Sequence, residues 1–190
     1  MSRLTGLRPA DMDDEQKRLY EEIVSSRRGP GSTSAAPITD ESGALRGPFE
    51  AMLRAPGIGD ALQRLGAGIR YRGSLSGRER EMAILVVAAH WESAFEQHAH
   101  EAAGRTAGLA DAELAALRAK GPAFDGPVLD DPREACVLAT ARALVSTGDL
   151  DDEQYTAAVS TLGEADLFEL TTLVGYYATL ALQMRVFRVT

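Results

Sequence analysis

Apolar residues recur at three- and four-residue intervals almost continuously from Pro48 to the end of the chain, the spacing of successive helix faces. Ile58, Leu62, Leu65 and Ile69 mark one such face, and Met82, Leu85, Val86 and Ala89 another. The pattern predicts helices over 49–54, 58–69, 78–90, 91–107, 111–120, 133–147, 151–162 and 164–187. Pro56, Gly108 and the Gly/Pro-rich run up to Pro132 punctuate them, and Ser76 and Glu79 stand at capping-box spacing ahead of the third. A further helix over 11–28 opens on acids and closes on Arg27 and Arg28, in keeping with the helix dipole. Nowhere do polar and apolar residues alternate with the period of a strand. The expectation is an all-α single domain, in which an N-terminal helix and irregular arm (1–47) precede a helical body (48–190). The stretch 29–47 is longer than an ordinary connection, which marks it as either unstructured or functional.

Composition then limits the function classes. A chain of 190 residues with 45% hydrophobic and 25% charged residues is long enough for a real core. Its formal charge of −8 argues against a nucleic-acid surface. No apolar run reaches the ~18 residues of a membrane span, and the N-terminus has no secretory apolar segment. A cytoplasmic protein with neither nucleic-acid nor membrane partners is therefore expected. Cys136, the only cysteine, sits in an apolar helical pattern and reads as a small buried residue; one thiol makes neither an intrachain disulfide nor a zinc cluster.

The densest candidate chemistry lies in the run from Ser93 through Phe95, Glu96, Gln97 and His98 to His100. If one helix carries it, Glu92, Glu96 and His100 share a stripe. A carboxylate beside an imidazole is equipment for proton transfer near neutral pH, and it is equally the pattern of an exposed ion pair. Glu81 belongs to the charge run Arg78-Glu79-Arg80-Glu81, which by pattern reads as a solvated helix start. His90 reads as a helix-end or core residue, and His98 points off the stripe towards solvent. His98 and His100 lie on opposite sides of a helix, and no His-x3-His pair exists, so no metal site is expected. Arg46, beside Gly47-Pro48, is a candidate to face a cavity and hold a substrate carboxylate. Arg70 and Arg72 are alternatives, and each of the three also fits an ordinary surface arginine.

Several collinear stretches resemble the carboxymuconolactone decarboxylase family within the alkylhydroperoxidase D-like superfamily. They are Gly47 to Pro56, Leu65-Gly66 with Arg70, Leu75 to Trp91, Phe95-Glu96-x3-His100, Ala107-Gly108-Leu109, and Gly163-Glu164 leading to Gly175-Tyr176-Tyr177. The redox branch of that superfamily carries Glu, eleven residues, then Cys-x2-Cys-x3-His. Here the same spacing reads Glu81, eleven residues, Ser93-x2-Glu96-x3-His100, so a dithiol peroxidase mechanism is excluded. The decarboxylase-like branch shows an aromatic-Glu-Trp-x2-His motif, from which Gln97 departs at the Trp position. The resemblance implies an alkylhydroperoxidase D-like helical bundle that forms homo-oligomers, trimers or hexamers or a dimer, and works on a small-molecule carboxylate without a cofactor. It implies Glu96, His100 and Glu81 as the catalytic set, with Arg46, Ser93, Gln97 and Arg70 as substrate contacts. The expected reaction is decarboxylation of a small carboxylated lactone or unsaturated acid. Isomerisation or dehydration on the same scaffold, and a non-catalytic ligand-binding role, are the alternatives.

Overall fold

In a computed structural model that describes residues 2–26, 38–118 and 129–189, those residues form nine α-helices and no strand. The N-terminal helix α1 (Asp14–Ser26) begins later than the charge pattern predicts, after a 3-10 turn at Pro9–Asp11. Asp13 is the reason. Its carboxylate accepts from the Gln16 amide at 2.8 Å while the Gln16 side chain accepts from the Asp13 amide at 3.0 Å, a reciprocal cap that fixes the start. The end predicted at Arg28, and most of the irregular stretch, lie outside the described residues. Its described end carries one antiparallel bridge between Thr39 and Leu45 and is tied to α1 by the Tyr20 hydroxyl, which donates to the Gly43 carbonyl at 3.0 Å.

Two helices follow, α2 (Pro48–Met52) and α3 (Pro56–Tyr71), each with proline in its first turn, where a missing amide proton is harmless. Next is α4 (Gly77–Trp91), the centre of the molecule. It packs against α5 (Ala94–Thr106), α7 (Pro132–Thr147) and α9 (Glu164–Phe187), and every residue from Met82 to Ala89 is buried. Its N-terminus carries the predicted capping box: Ser76 Oγ accepts from the Glu79 amide at 3.1 Å and Glu79 Oε2 from the Ser76 amide at 2.6 Å. The short α6 (Asp111–Arg118) and α8 (Asp152–Leu162) complete the bundle. One continuous core runs from Leu19 and Ile23 of α1 through α4 to Leu170, Leu173 and Tyr177 of α9.

The charge run at the head of α4 is not the solvated face its pattern predicts. Glu79 and Glu81 are buried, and Arg78, Glu79 and Glu81 each find a partner from another helix. Arg78 spans Glu134 (2.8 Å) and Glu113 (2.8 Å), and Arg133 of α7 meets Glu79 at 2.7 Å. Cys136 is half-buried on α7 rather than fully enclosed.

Candidate functional site

Where one helix was expected across 91–107, the backbone turns. Glu92 takes a left-handed conformation (φ 56°) as the cap of α4, and Ser93 then starts α5. Glu92 is exposed and does not share a stripe with Glu96 and His100. The corner folds α5 back along α4, which brings residues distant in sequence side by side. Glu81 of α4 and His100 of α5 meet with Oε2 and Nδ1 2.6 Å apart. The imidazole's carboxylate partner is thus Glu81, and Glu96, one helical turn away on α5, makes no hydrogen bond to it. Glu81 and Glu96 are each 2% exposed and His100 9%.

Three further side chains close the cluster. Tyr177 of α9 meets the His100 ring edge to face, centroids 5.1 Å apart, and Tyr176 meets Tyr177 at 5.2 Å in the same manner. Arg70, near the end of α3, hydrogen-bonds the Tyr177 side chain and acts electrostatically on Glu81. Arg80 stands 3.6 Å from the other Glu81 oxygen. Packing of α3 on α9 depends on Gly66, where a β-carbon would collide with the Tyr176 hydroxyl.

The two buried carboxyls are driven in opposite directions. Burial alone would raise Glu81, but the hydrogen bond and charge of His100, with Arg70 and Arg80, outweigh it and hold the group below the usual carboxylate range. Glu96 has no such help. Neither of its oxygens completes a hydrogen bond, the Ser93 side chain opposes the shift only weakly, and burial pushes the carboxyl up to about 8. Burial likewise raises the Tyr177 phenol, which stays neutral. At neutral pH the site therefore holds one carboxylate and one carboxylic acid, the separation that divides base from acid roles in catalytic pairs. Because an ionised Glu81 only accepts, His100 Nδ1 carries the proton, and in the neutral ring Nε2 keeps the lone pair.

The other sequence candidates lie outside this cluster. Arg46 is exposed, on the surface segment whose backbone bonds Ile38 (2.8 Å). Gln97 turns along α5 to Glu101, 2.7 Å away, which also pairs with Arg118. Ser93 is half-buried at the start of α5. Arg72, His90 and His98 are exposed, and His90 lies against Trp91 at the end of α4. Tyr177 is the site residue that sequence reasoning missed: its helical spacing marked it only as core, although Gly175-Tyr176-Tyr177 stood among the family-like stretches.

An all-helical bundle with a buried carboxylate–imidazole–carboxylic acid cluster defines the class. Residues 56–131 match the Carboxymuconolactone decarboxylase family. The fold resembles the alkylhydroperoxidase AhpD core of an uncharacterized peroxidase-related protein from Ralstonia eutropha, with a TM-score of 0.74 at 14% identity, covering 100% of this chain and 91% of that one. It also resembles a protein of unknown function from Agrobacterium tumefaciens with a suggested AhpD-type antioxidant role (TM-score 0.63, 16% identity, 73% of this chain and 92% of that one). No curated protein matches the sequence significantly. Over residues 56–131 the chain is thus similar to the carboxymuconolactone decarboxylase family, and it shares the helical fold of the AhpD-like structures.

Proposed function

We propose that this protein is a cofactor-independent enzyme that delivers a proton to carbon on a small carboxylic acid, with decarboxylation of a carboxylated lactone as its reaction. The observation that carries the proposal is Glu96: a buried carboxyl with no hydrogen-bond partner, held neutral at pH 7 beside an ionised Glu81 that is bonded to His100. As the bond to the departing carboxyl breaks, its electron pair delocalises towards the lactone carbonyl. The apolar surroundings favour that spread of charge, Arg70 supplies the positive field, and Glu96 returns the proton to carbon. His100, with Nδ1 fixed by Glu81, orients the substrate by accepting through Nε2, and Glu96 regains its proton from solvent between turnovers. The Ser93 and Glu96 positions cannot cycle through a disulfide, so the peroxide-reducing chemistry of dithiol relatives is not proposed.

The test is a metal-free assay with γ-carboxymuconolactone, following carbon dioxide release and ultraviolet absorbance together. Release that falls by about 10²-fold in both Glu96→Gln and His100→Ala supports the assignment; equal rates in wild type and both variants would overturn it. Isomerisation or dehydration by the same groups is the second reading, favoured by Gln97 turning to Glu101 where relatives carry a tryptophan. Consumption of substrate without loss of carbon dioxide would select it. A non-catalytic scaffold in which Glu96 and His100 face solvent is opposed by their burial.

Self-association is proposed with it. Along the outer face of α9, Phe168 (73% exposed), Gly175, Leu182 (47%) and Val186 (48%) form a stripe with no covering element among the described residues. A two-fold axis at Gly175 sets Phe168 opposite Leu182 of the partner subunit. It also sets the two α9 axes antiparallel, as helix dipoles favour.

A further inference from the structure

We infer that a cleft at the α4–α5 corner binds a small, flat, apolar carboxylate, with Arg185 as its anion anchor. The cleft measures about 430 Å³, within the ~300–1,000 Å³ of small-ligand sites. Trp91 and Phe95 supply aromatic wall, and Ala181, Met184 and Val189 supply aliphatic and thioether wall. Such surfaces select by area and flatness, and the thioether adapts to the shape offered.

Polar groups in the lining are few, and they differ in availability. Among the described residues the Arg185 side chain has no ion pair and no hydrogen bond, whereas Arg78, Arg118 and Arg133 are each held by carboxylates. The first residues of α5, Ser93 to Phe95, line the same cleft, and Ser93 makes no side-chain cap, so the positive end of that helix adds to the field of Arg185. Glu92 also borders the cleft, and Arg185 is the cationic side chain of the lining, so it sets the sign of the ligand. Neither Arg46, exposed ahead of Gly47, nor Arg70, already engaged with Tyr177, lines this cleft.

The role of the cleft in turnover rests on the function proposed above. Ser93 is the connection, because it lines the cleft and is also the polar side chain that acts on the Glu96 carboxyl. Occupancy itself is measurable without turnover. Trp91, the only tryptophan in the chain, forms part of the wall, so its emission reports binding directly.

The experiment titrates the protein with phenylacetate and with its uncharged isostere phenylacetamide at pH 7, following Trp91 emission, with calorimetry in parallel. Wild type should bind phenylacetate at least about five-fold tighter than the amide, as for a charge-assisted contact at a partly exposed site. In Arg185→Gln that preference should vanish, with amide affinity within about two-fold of wild type. Equal affinity for acid and amide in wild type, no saturable binding of either, or a preference unchanged in Arg185→Gln would each overturn the assignment. Saturable, Arg185-dependent binding by a protein that releases no carbon dioxide keeps this site and removes the catalytic reading. Turnover with acid and amide bound alike does the reverse.

Discussion

His100 Nδ1 lies 2.6 Å from Glu81 Oε2, a pairing between two helices that the left-handed residue Glu92 folds against each other. The consequence is a fixed tautomer. Replacing Glu81 by Gln leaves a group that offers Nδ1 either a donor or an acceptor, so the ring loses its preference, and carbon dioxide release should fall on the order of 10²-fold. Nitrogen NMR of the imidazole is the direct check: a protonated Nδ1 and a lone pair on Nε2 in neutral wild type, and a tautomer mixture in Glu81→Gln. An unchanged tautomer in the variant would remove Glu81 from this role.

Glu96 couples activity to pH. In the proposed reaction its acid form donates the proton, and burial pushes its carboxyl up to about 8, so turnover should hold level through neutrality and decline above that value. The pH-rate profile of wild type measures this limb, and its absence would show that the reacting proton comes from elsewhere.

The same residue makes an opposite prediction for stability. A carboxyl whose folded value is raised holds its proton more tightly in the native state, so it destabilises the fold increasingly as pH climbs from the unfolded value towards about 8. Glu96→Gln should therefore gain on the order of 3 kcal/mol at pH 7 and almost nothing at pH 4. Glu81 runs the other way: held low, it stabilises above its unfolded value and loses that contribution as pH falls through its folded one. Thermal melts of wild type and Glu96→Gln across pH 4–8 check both signs. A variant that loses activity while gaining stability marks a functional group rather than a structural one.

Much of the fold was legible because helix signals are local. Spacing, caps and Gly/Pro punctuation placed eight of the helices close to their observed bounds, as with 164–187 against Glu164–Phe187 and the capping box at Ser76 and Glu79. The site was legible in its members but not in its pairing. Periodicity joined Glu92 to Glu96 and His100 because it assumed an unbroken helix, and no glycine or proline announces the turn at Glu92. It also read Arg78 to Glu81 as solvated, because the charges that neutralise the run arrive from α6 and α7. Tertiary pairing of this kind leaves no periodic trace.

Gly47 links the surface arm to the site. It has φ 61°, and a β-carbon there would run into the Phe95 ring, the neighbour of Glu96 at the start of α5. Gly47→Ala combines an unfavourable backbone conformation with a displaced aromatic ring. It should cost at least ~2 kcal/mol in denaturant unfolding and weaken turnover through Phe95. Phe95→Leu added to Gly47→Ala relieves the collision and should restore part of the stability; an additive double loss would show that Phe95 is not what the glycine accommodates.

The α9 stripe yields the last prediction. Phe168 is 73% exposed on a helix whose other face packs against α4 and α7, and large apolar groups left in water at both ends of one stripe are a marker of association. About the axis at Gly175, a charge introduced at Leu182 faces Phe168 of the partner subunit and is met twice by symmetry, so the penalty per dimer is doubled. Leu182→Glu should lower the mass measured by light scattering by at least half, while its helical circular dichroism stays that of wild type, because Leu182 is exposed and lies outside the buried core. Leu182→Met keeps the apolar contact and should retain the wild-type mass. If Leu182→Glu keeps the full mass, the chain does not associate through this face.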